Sequence, residues 1–428
     1  MTRPEITQHD DGGGFLDSAE RSSLADLARR FGSPLYVYRL DRVRQAAADL
    51  LAAVPDGATI YYSLKANPEV AIVRELAAAG LSAEVSSTGE LAAALAAGHP
   101  GERCLYGGPG KTAGEIAEAL AAGVRLFSVE SVVDYRRVAR IADEHGVRAR
   151  CLVRVNAERG AAGTGLRMTG KPSQFGVEAT DLAELADSRR DALEIVGTHV
   201  FSATNLAGED ELIAEFAVGV ETTARARQVL GISGGVADLG GGFGAPYARP
   251  GSRPPLPKLR AALENLLDDG LPGWRDGDPR VAFESGRALC ADCGTLVCTV
   301  TDVKTSRGST YVVLDAGTNT LGGMSGLGRL LPPGARVLPV EPDQAGPSGS
   351  ITLVGPLCTP LDTLSRGHTA AVPEIDATVA VPNVGAYGLH ASLLAFLGRP
   401  LPGIVVVDGD QVVSAQRLDL VHSTLAER

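Results

Sequence analysis

The stretch Thr59-Ile-Tyr-Tyr-Ser-Leu-Lys65-Ala-Asn-Pro68 decides how the rest of the chain is read. Its first six residues are mostly β-branched, aromatic or apolar, as a short buried strand requires, and Lys65 follows at the strand's end before Asn67 and Pro68 break the run. Runs of the same kind recur at Ala83–Val85, Cys104–Tyr106, Leu126–Val129, Arg150–Val155, Ile195–Val200, Val236–Asp238 and Val281–Glu284, which with Thr59–Leu64 makes eight predicted strands. Between them lie Ala-, Leu- and Glu-rich segments of helical character: Val70–Ala79, Gly89–Ala97, Ile116–Ala122, Val132–His145, Leu212–Leu230 and Leu259–Asp268. Eight strands alternating with helices predict a (β/α)8 barrel, a fold whose chemistry gathers at the C-terminal ends of its strands.

After Glu284 the texture changes. Val- and Thr-rich runs at Leu296–Lys304, Thr310–Leu314, Ser350–Val354, Ala377–Val381, Gly403–Val407 and Gln411–Leu418 are separated by Gly/Pro turns, which predicts a second, β-rich domain. Pro34–Tyr38 is also strand-like, so the expected division is residues 1–40 contributing to the β domain, 41–289 as the barrel and 290–428 as the β-rich domain. At 428 residues and 44% hydrophobic content the chain is long enough for these cores. A net charge of −11 argues against nucleic acid or an anionic membrane as partner, and a small molecule is the expected ligand. No apolar run approaches the ~18 residues of a membrane span, and the N-terminal residues lack the apolar core of a signal peptide, so the expected location is the cytoplasm. Cys290, Cys293 and Cys298 have metal-like spacing but no nearby histidine, and they read as buried strand residues rather than zinc ligands; no metal is expected.

Several polar residues fall at predicted strand ends. Lys65 would project its amine into the barrel mouth, where partial desolvation suits an amine to imine formation, although a surface lysine is the bland alternative. His199 ends the sixth strand, Asp238-Leu-Gly-Gly-Gly-Phe-Gly244 closes the seventh and Phe283-Glu-Ser-Gly-Arg287 the eighth. Glycines Gly240, Gly241 and Gly242 would let backbone N–H groups approach a phosphate, and Arg287 adds a cation beside the Glu284 carboxylate.

The ordered set Pro34–Tyr38, Tyr62–Asn67, Glu84–Glu90, Gly108–Lys111, Arg154–Asn156, Gln174–Gly176, His199, Asp238–Gly244, Glu284–Arg287, Asp315–Gly317, Gly355–Cys358 and Gly385–Tyr387 resembles the fold-type III decarboxylases that use pyridoxal 5'-phosphate. That group contains diaminopimelate, ornithine and arginine decarboxylases. The resemblance implies that Lys65 carries the cofactor as a Schiff base, that His199 stacks on the pyridine ring, and that Glu284 pairs with the ring nitrogen. It also implies that Gly240, Gly241, Gly242, Arg287 and Tyr387 bind the phosphate. Cys358, supplied in the family by the partner subunit, would return a proton to the α-carbon, which implies a homodimer with shared sites. A carboxylate at position 284 favours decarboxylation over the alternative of racemisation, since alanine racemases place an arginine there. The third alternative, a cofactor carrier or regulator, is disfavoured by the β-rich domain, which such single-barrel homologues lack.

The departures concern the substrate. Dibasic-acid decarboxylases usually carry an acid directly after the cysteine, where this chain has Thr359, and ornithine-type members carry aspartate where it has Ala316. A buried ammonium without a carboxylate costs several kcal/mol, so a non-dibasic or modified amino acid is expected as substrate, with diaminopimelate of lysine biosynthesis the alternative. Asp362 remains, to contact substrate or to order its loop, and Arg329 is a candidate for a substrate carboxylate or phosphopantetheine group. Cys358-Thr-Pro-Leu-Asp362 resembles a natural-product branch that acts on carrier-tethered glutamyl groups or siderophore precursors. Phe201 stands where the family usually has glycine.

Overall fold

A computed structural model describes residues 15–157, 166–167, 173–188, 190–201, 203–322 and 333–424. The chain forms two compact units. One comprises Asp41–Ala245 and Arg253–Cys290, and the other its described residues up to Leu40, Pro246–Ser252, and those from Ala291 onward.

The first unit is a closed barrel of parallel strands: Thr59–Ser63, Ser82–Val85, Cys104–Tyr106, Leu126–Val129, Ala149–Arg154, Leu193–His199, Val236–Asp238 and Arg280–Ser285, taken here as the first to eighth. The predicted (β/α)8 barrel and β-rich sheet are both present. The eighth strand returns to the first, with Glu284 opposite Tyr61 and Ser285 opposite Tyr62. Inside, Tyr61, Leu105, Leu126, Leu152, Val236 and Ala282 form a packed core, as the interior of a small barrel must. The outer helices are short and deliberately started. Ser87, Thr112 and Ser131 each accept a backbone N–H three residues on, from Glu90, Glu115 and Asp134. Val132–Glu144 buries Val132, Tyr135, Val138, Ala139, Ile141 and Ala142, the stripe expected of a helix lying on a sheet.

The second unit is a nine-stranded sheet. Leu35–Arg39 runs through its middle, antiparallel to Gly294–Ser306 and parallel to Gly403–Asp408, so a strand made before the barrel completes a sheet made after it. Its core joins Leu35, Val37, Val297, Ala380, Val405 and Val407 to Leu24 and Leu27 of the helix Ser18–Phe31. Pro246–Ser252, which the sequence reading assigned to the barrel, packs in this unit. Asn383 holds it, its Nδ2 donating to the carbonyls of Arg249 and Gly251 at 2.8 and 2.9 Å. The strand Thr363–Pro373 lies outside the predicted set, because its Ser365-Arg-Gly-His368 centre breaks the apolar pattern. The cysteines need a correction as well. All three are buried, but only Cys298 lies on a strand; Cys290 ends the four-residue helix Arg287–Cys290 and Cys293 sits in the turn after it.

Candidate active site

Lys65 stands in a single helical turn, Leu64–Ala66, immediately after the first strand. Its Nζ donates to Glu84 Oε2 at 3.2 Å and lies 5.7 Å from the centroid of the Phe201 ring. Glu84 is the penultimate residue of the second strand and is buried. Burial alone would push its carboxyl up, but the Lys65 ammonium and hydrogen bonds from Ser63, Lys65 and Ser86 outweigh it and hold the group below the usual range. The lysine side chain is 43% exposed. By contrast Lys111 is 1% exposed, its ammonium donating to the carbonyls of Gly108 and Ser128 and paired with Asp134 at 2.7 Å. Of these two lysines, Lys65 alone has an amine that a small molecule can reach.

His199 and Asp238 end the sixth and seventh strands and Glu284 is the penultimate residue of the eighth; one polar atom of each lies within 4.8 Å of the others', and all three residues are buried. Ser128 Oγ sits 2.8 Å from His199 Nδ1 and orients the ring. His199 Nε2 is 3.3 Å from Glu284 Oε1, yet the pair is outside hydrogen-bond geometry and neither atom has a partner among the described residues. Burial, reinforced by Arg154, Lys65 and Lys111, drives the imidazole well below its usual pKa, so it is neutral. Burial, then the Asp238 and Glu84 carboxylates, drive Glu284 well above the carboxylate range. Two buried polar atoms without partners stand side by side here, at the strand ends where a barrel carries its chemistry, and are placed for a ligand to supply the missing contacts.

The turn after the seventh strand closes around this group. Gly240 and Gly242 have φ of +68° and +118°, and a Cβ on Gly240 or Gly241 would come within 2.3 Å of the Val200 or Glu284 carbonyl oxygen. No residue with a side chain fits there. Arg287 begins the short helix after the eighth strand. The residues fit pyridoxal phosphate: an amine, a neutral imidazole for the face of a ring, an unpartnered carboxyl for a ring nitrogen, and a glycine turn for a phosphate.

Comparison with known proteins bears on the same residues. Residues 40–291 match the family model described as pyridoxal-dependent decarboxylase, pyridoxal binding domain. The chain belongs to this family of decarboxylases. The decarboxylase is 31% identical over 396 residues to an L-glutamyl-(BtrI acyl-carrier protein) decarboxylase of Niallia circulans, covering 90% of this chain and 91% of that one. It is 32% identical to a diaminopimelate decarboxylase of Pseudomonas aeruginosa, covering 95% of each. Among solved structures, diaminopimelate decarboxylase from Helicobacter pylori complexed with L-lysine matches with a TM-score of 0.78 and 28% identity, over 91% of this chain and 94% of that chain. The protein is thus a pyridoxal-phosphate-dependent amino-acid decarboxylase, and of the three activities open on the sequence this is the one its relatives share.

Of the remaining predicted positions, Cys358, Thr359, Asp362, Ala316 and Tyr387 lie in the sheet unit. Cys358 is exposed with a free thiol, Thr359 is half-buried, and Tyr387 adopts a left-handed φ of +54°. Of the two readings of Asp362, contact with substrate and ordering of its loop, the hydrogen bonds support the second. The residue is 2% exposed, its Oδ1 accepts the Thr318 N–H at 2.7 Å and the Thr318 hydroxyl at 3.1 Å, and its Oδ2 accepts the Leu357 N–H at 2.7 Å, so it orders the Cys358 loop. Ala316 is fully buried. Arg329 lies outside the described residues.

Sequence reasoning assigned no role to Glu84, Ser128, Arg154 or Asp238. Arg154 ends the fifth strand, pairs with Glu130 at 2.9 Å and is flanked by the rings of Phe175 and Phe201 at 4.8 and 5.8 Å. The signal for all four was the rule already applied to Lys65, a polar residue at the C-terminal end of a parallel strand. No helix among the described residues is long and apolar enough to cross a membrane.

Proposed function

We propose that this decarboxylase removes the α-carboxylate of an amino acid whose far end carries no ammonium, such as a glutamyl unit, free or tethered to a carrier protein. One observation carries the reading: Asp362, the sole acid of the segment Gly355–Thr363, is spent on two backbone N–H groups, and Thr359 offers a hydroxyl where an anion would be needed. The similarity to the carrier-protein decarboxylase supports it, though diaminopimelate decarboxylases match as well.

When bound, pyridoxal phosphate supplies the electron sink for the pair left on the α-carbon as CO₂ departs. Lys65 holds the cofactor through its amine, and the Glu84 carboxylate beside it keeps the side chain at the barrel mouth. His199, fixed by Ser128 and uncharged, packs on the ring face. Glu284 holds the proton at the ring nitrogen, which ends its own cost as an unpartnered buried acid. The turn Gly240–Gly242, Arg287 and Tyr387 hold the phosphate. Cys358 Sγ, from the partner subunit of a cytoplasmic homodimer, returns a proton to the α-carbon. In this reading Thr359 lies beside the substrate's distal end.

Measuring CO₂ release from free and carrier-linked glutamate, ornithine, lysine and meso-diaminopimelate tests it. Turnover should favour the glutamyl compounds. A kcat/KM of about 10⁴ M⁻¹s⁻¹ or more on any of the dibasic compounds would overturn the reading.

A further inference from the structure

Asp238 closes the seventh barrel strand, with His199 and Ala282 as its register neighbours on the sixth and eighth. It is fully buried, and its two oxygens have different surroundings. Oδ1 accepts the Gly240 N–H at 2.9 Å, at the point where the chain turns through a left-handed φ. Oδ2 has no hydrogen-bond partner among the described residues, and the carboxyl group lies in the 4.8 Å cluster with His199 and Glu284. Two buried carboxyls at that range cannot both be charged without large cost, so the pair keeps at least one proton on one member or the other. The surrounding charges do not reverse this. Lys65 and Arg154 favour ionisation and Glu84 opposes it, Tyr61 faces both acids with an un-ionised hydroxyl, and His199 is neutral.

We propose that Asp238 is a positioning residue tying the glycine turn to Glu284: one oxygen holds Gly240, and the other shares a single proton with Glu284. The proposal rests on the cofactor reading above. When Glu284 becomes a carboxylate, the proton moves to Asp238 Oδ2. One O–H bond breaks, one forms, and the net charge of the pair stays at −1. Filling the phosphate turn and readying the ring-nitrogen acid are then one event, because both act on the same side chain.

Asp238→Asn keeps an oxygen for the Gly240 N–H but cannot share a proton, and Asp238→Ala loses both functions. The first measurement is thermal melting of cofactor-free, full-length protein from about pH 5.5 to about 8.5. An acid whose folded-state proton affinity is raised contributes stability that is lost as pH rises through its folded-state pKa. For Asp238, held up by burial and by the Glu84 charge, that value is about 7. Wild type should therefore lose more Tm across this range than Asp238→Asn, by about 2–4 °C. The second measurement is titration with pyridoxal phosphate. Asp238→Ala should bind at least about tenfold more weakly than wild type and Asp238→Asn within about threefold. Equal pH slopes in wild type and Asp238→Asn would overturn the shared proton. Unchanged affinity in Asp238→Ala would overturn the hold on the turn, and if that variant does not fold, a loss of affinity well beyond threefold in Asp238→Asn does the same. Failure of wild type to take up the cofactor sinks the cofactor reading alone, and the melting comparison still decides the shared proton.

Discussion

The barrel mouth and the Cys358 loop treat their acids in opposite ways. In the barrel, Glu284 and Asp238 are buried with oxygens that no described residue satisfies, beside a neutral His199 whose Nε2 is equally unpartnered. In the loop, Asp362 is just as buried, and both its oxygens are taken up by backbone N–H groups. Burial alone therefore does not mark function. In these two places the acid with both oxygens bonded belongs to the scaffold, whereas the acids left without partners weaken the empty protein and sit where a ligand would complete them. The same contrast separates Lys111, enclosed by Asp134 and two carbonyls, from Lys65, which is paired yet reachable.

The largest expected effect tests the lysine half of this contrast. Lys65→Ala should lower turnover by about 10⁴-fold or more, as loss of a covalent group does. Borohydride treatment of the loaded enzyme should fix the cofactor on Lys65, and a label found on Lys111 or Lys304 instead would show that the barrel register has been misjudged. Mixing inactive Lys65→Ala with inactive Cys358→Ala subunits should restore part of the activity. No recovery despite subunit exchange would remove the shared site.

The two kinds of acid should then respond in opposite directions. Glu284→Gln removes an unpartnered buried acid and should raise the Tm of the cofactor-free protein, while turnover falls about 10²–10³-fold. Asp362→Ala strands two buried N–H groups and should cost about 2–4 kcal/mol of stability, read as a lower Tm or denaturation midpoint. If Glu284→Gln instead destabilises the empty protein, the carboxyl is part of the scaffold and the contrast fails.

The smallest effect concerns Glu90, which burial and the neighbouring Glu84 carboxylate hold up at about 7. Its folded-state value lies above its unfolded one, so its contribution to stability is present at low pH and is lost as pH rises through about 7. Glu90→Gln should remove about 1–2 kcal/mol of that loss between about pH 5 and 8, measured by denaturant titration at each pH. A variant whose stability falls with pH as steeply as wild type would show that Glu90 ionises normally.

The sequence by itself determined the barrel and the positions of Lys65, His199 and Glu284 on it. Strand runs bounded by turn residues reveal the alternation of strands and helices, and parallel strands in a closed barrel all end on one face, so a polar residue after an apolar run has its location settled by connectivity alone. The glycine turn was legible for a related reason, since only glycine tolerates a carbonyl 2.3 Å from a Cβ position. Only the tertiary structure decided which polar groups are satisfied. Asp362 and Glu284 look alike as acids in motif-like contexts, but the N–H groups that occupy Asp362 come from Thr318, far away in the chain, and from the loop's own fold around Leu357. Likewise Asp238 reads as a residue shortly ahead of a glycine run until its register with His199 brings its carboxyl into the cluster with Glu284. Hydrogen-bond satisfaction depends on which distant segments meet, and that is a property of the folded chain rather than of any local pattern in it.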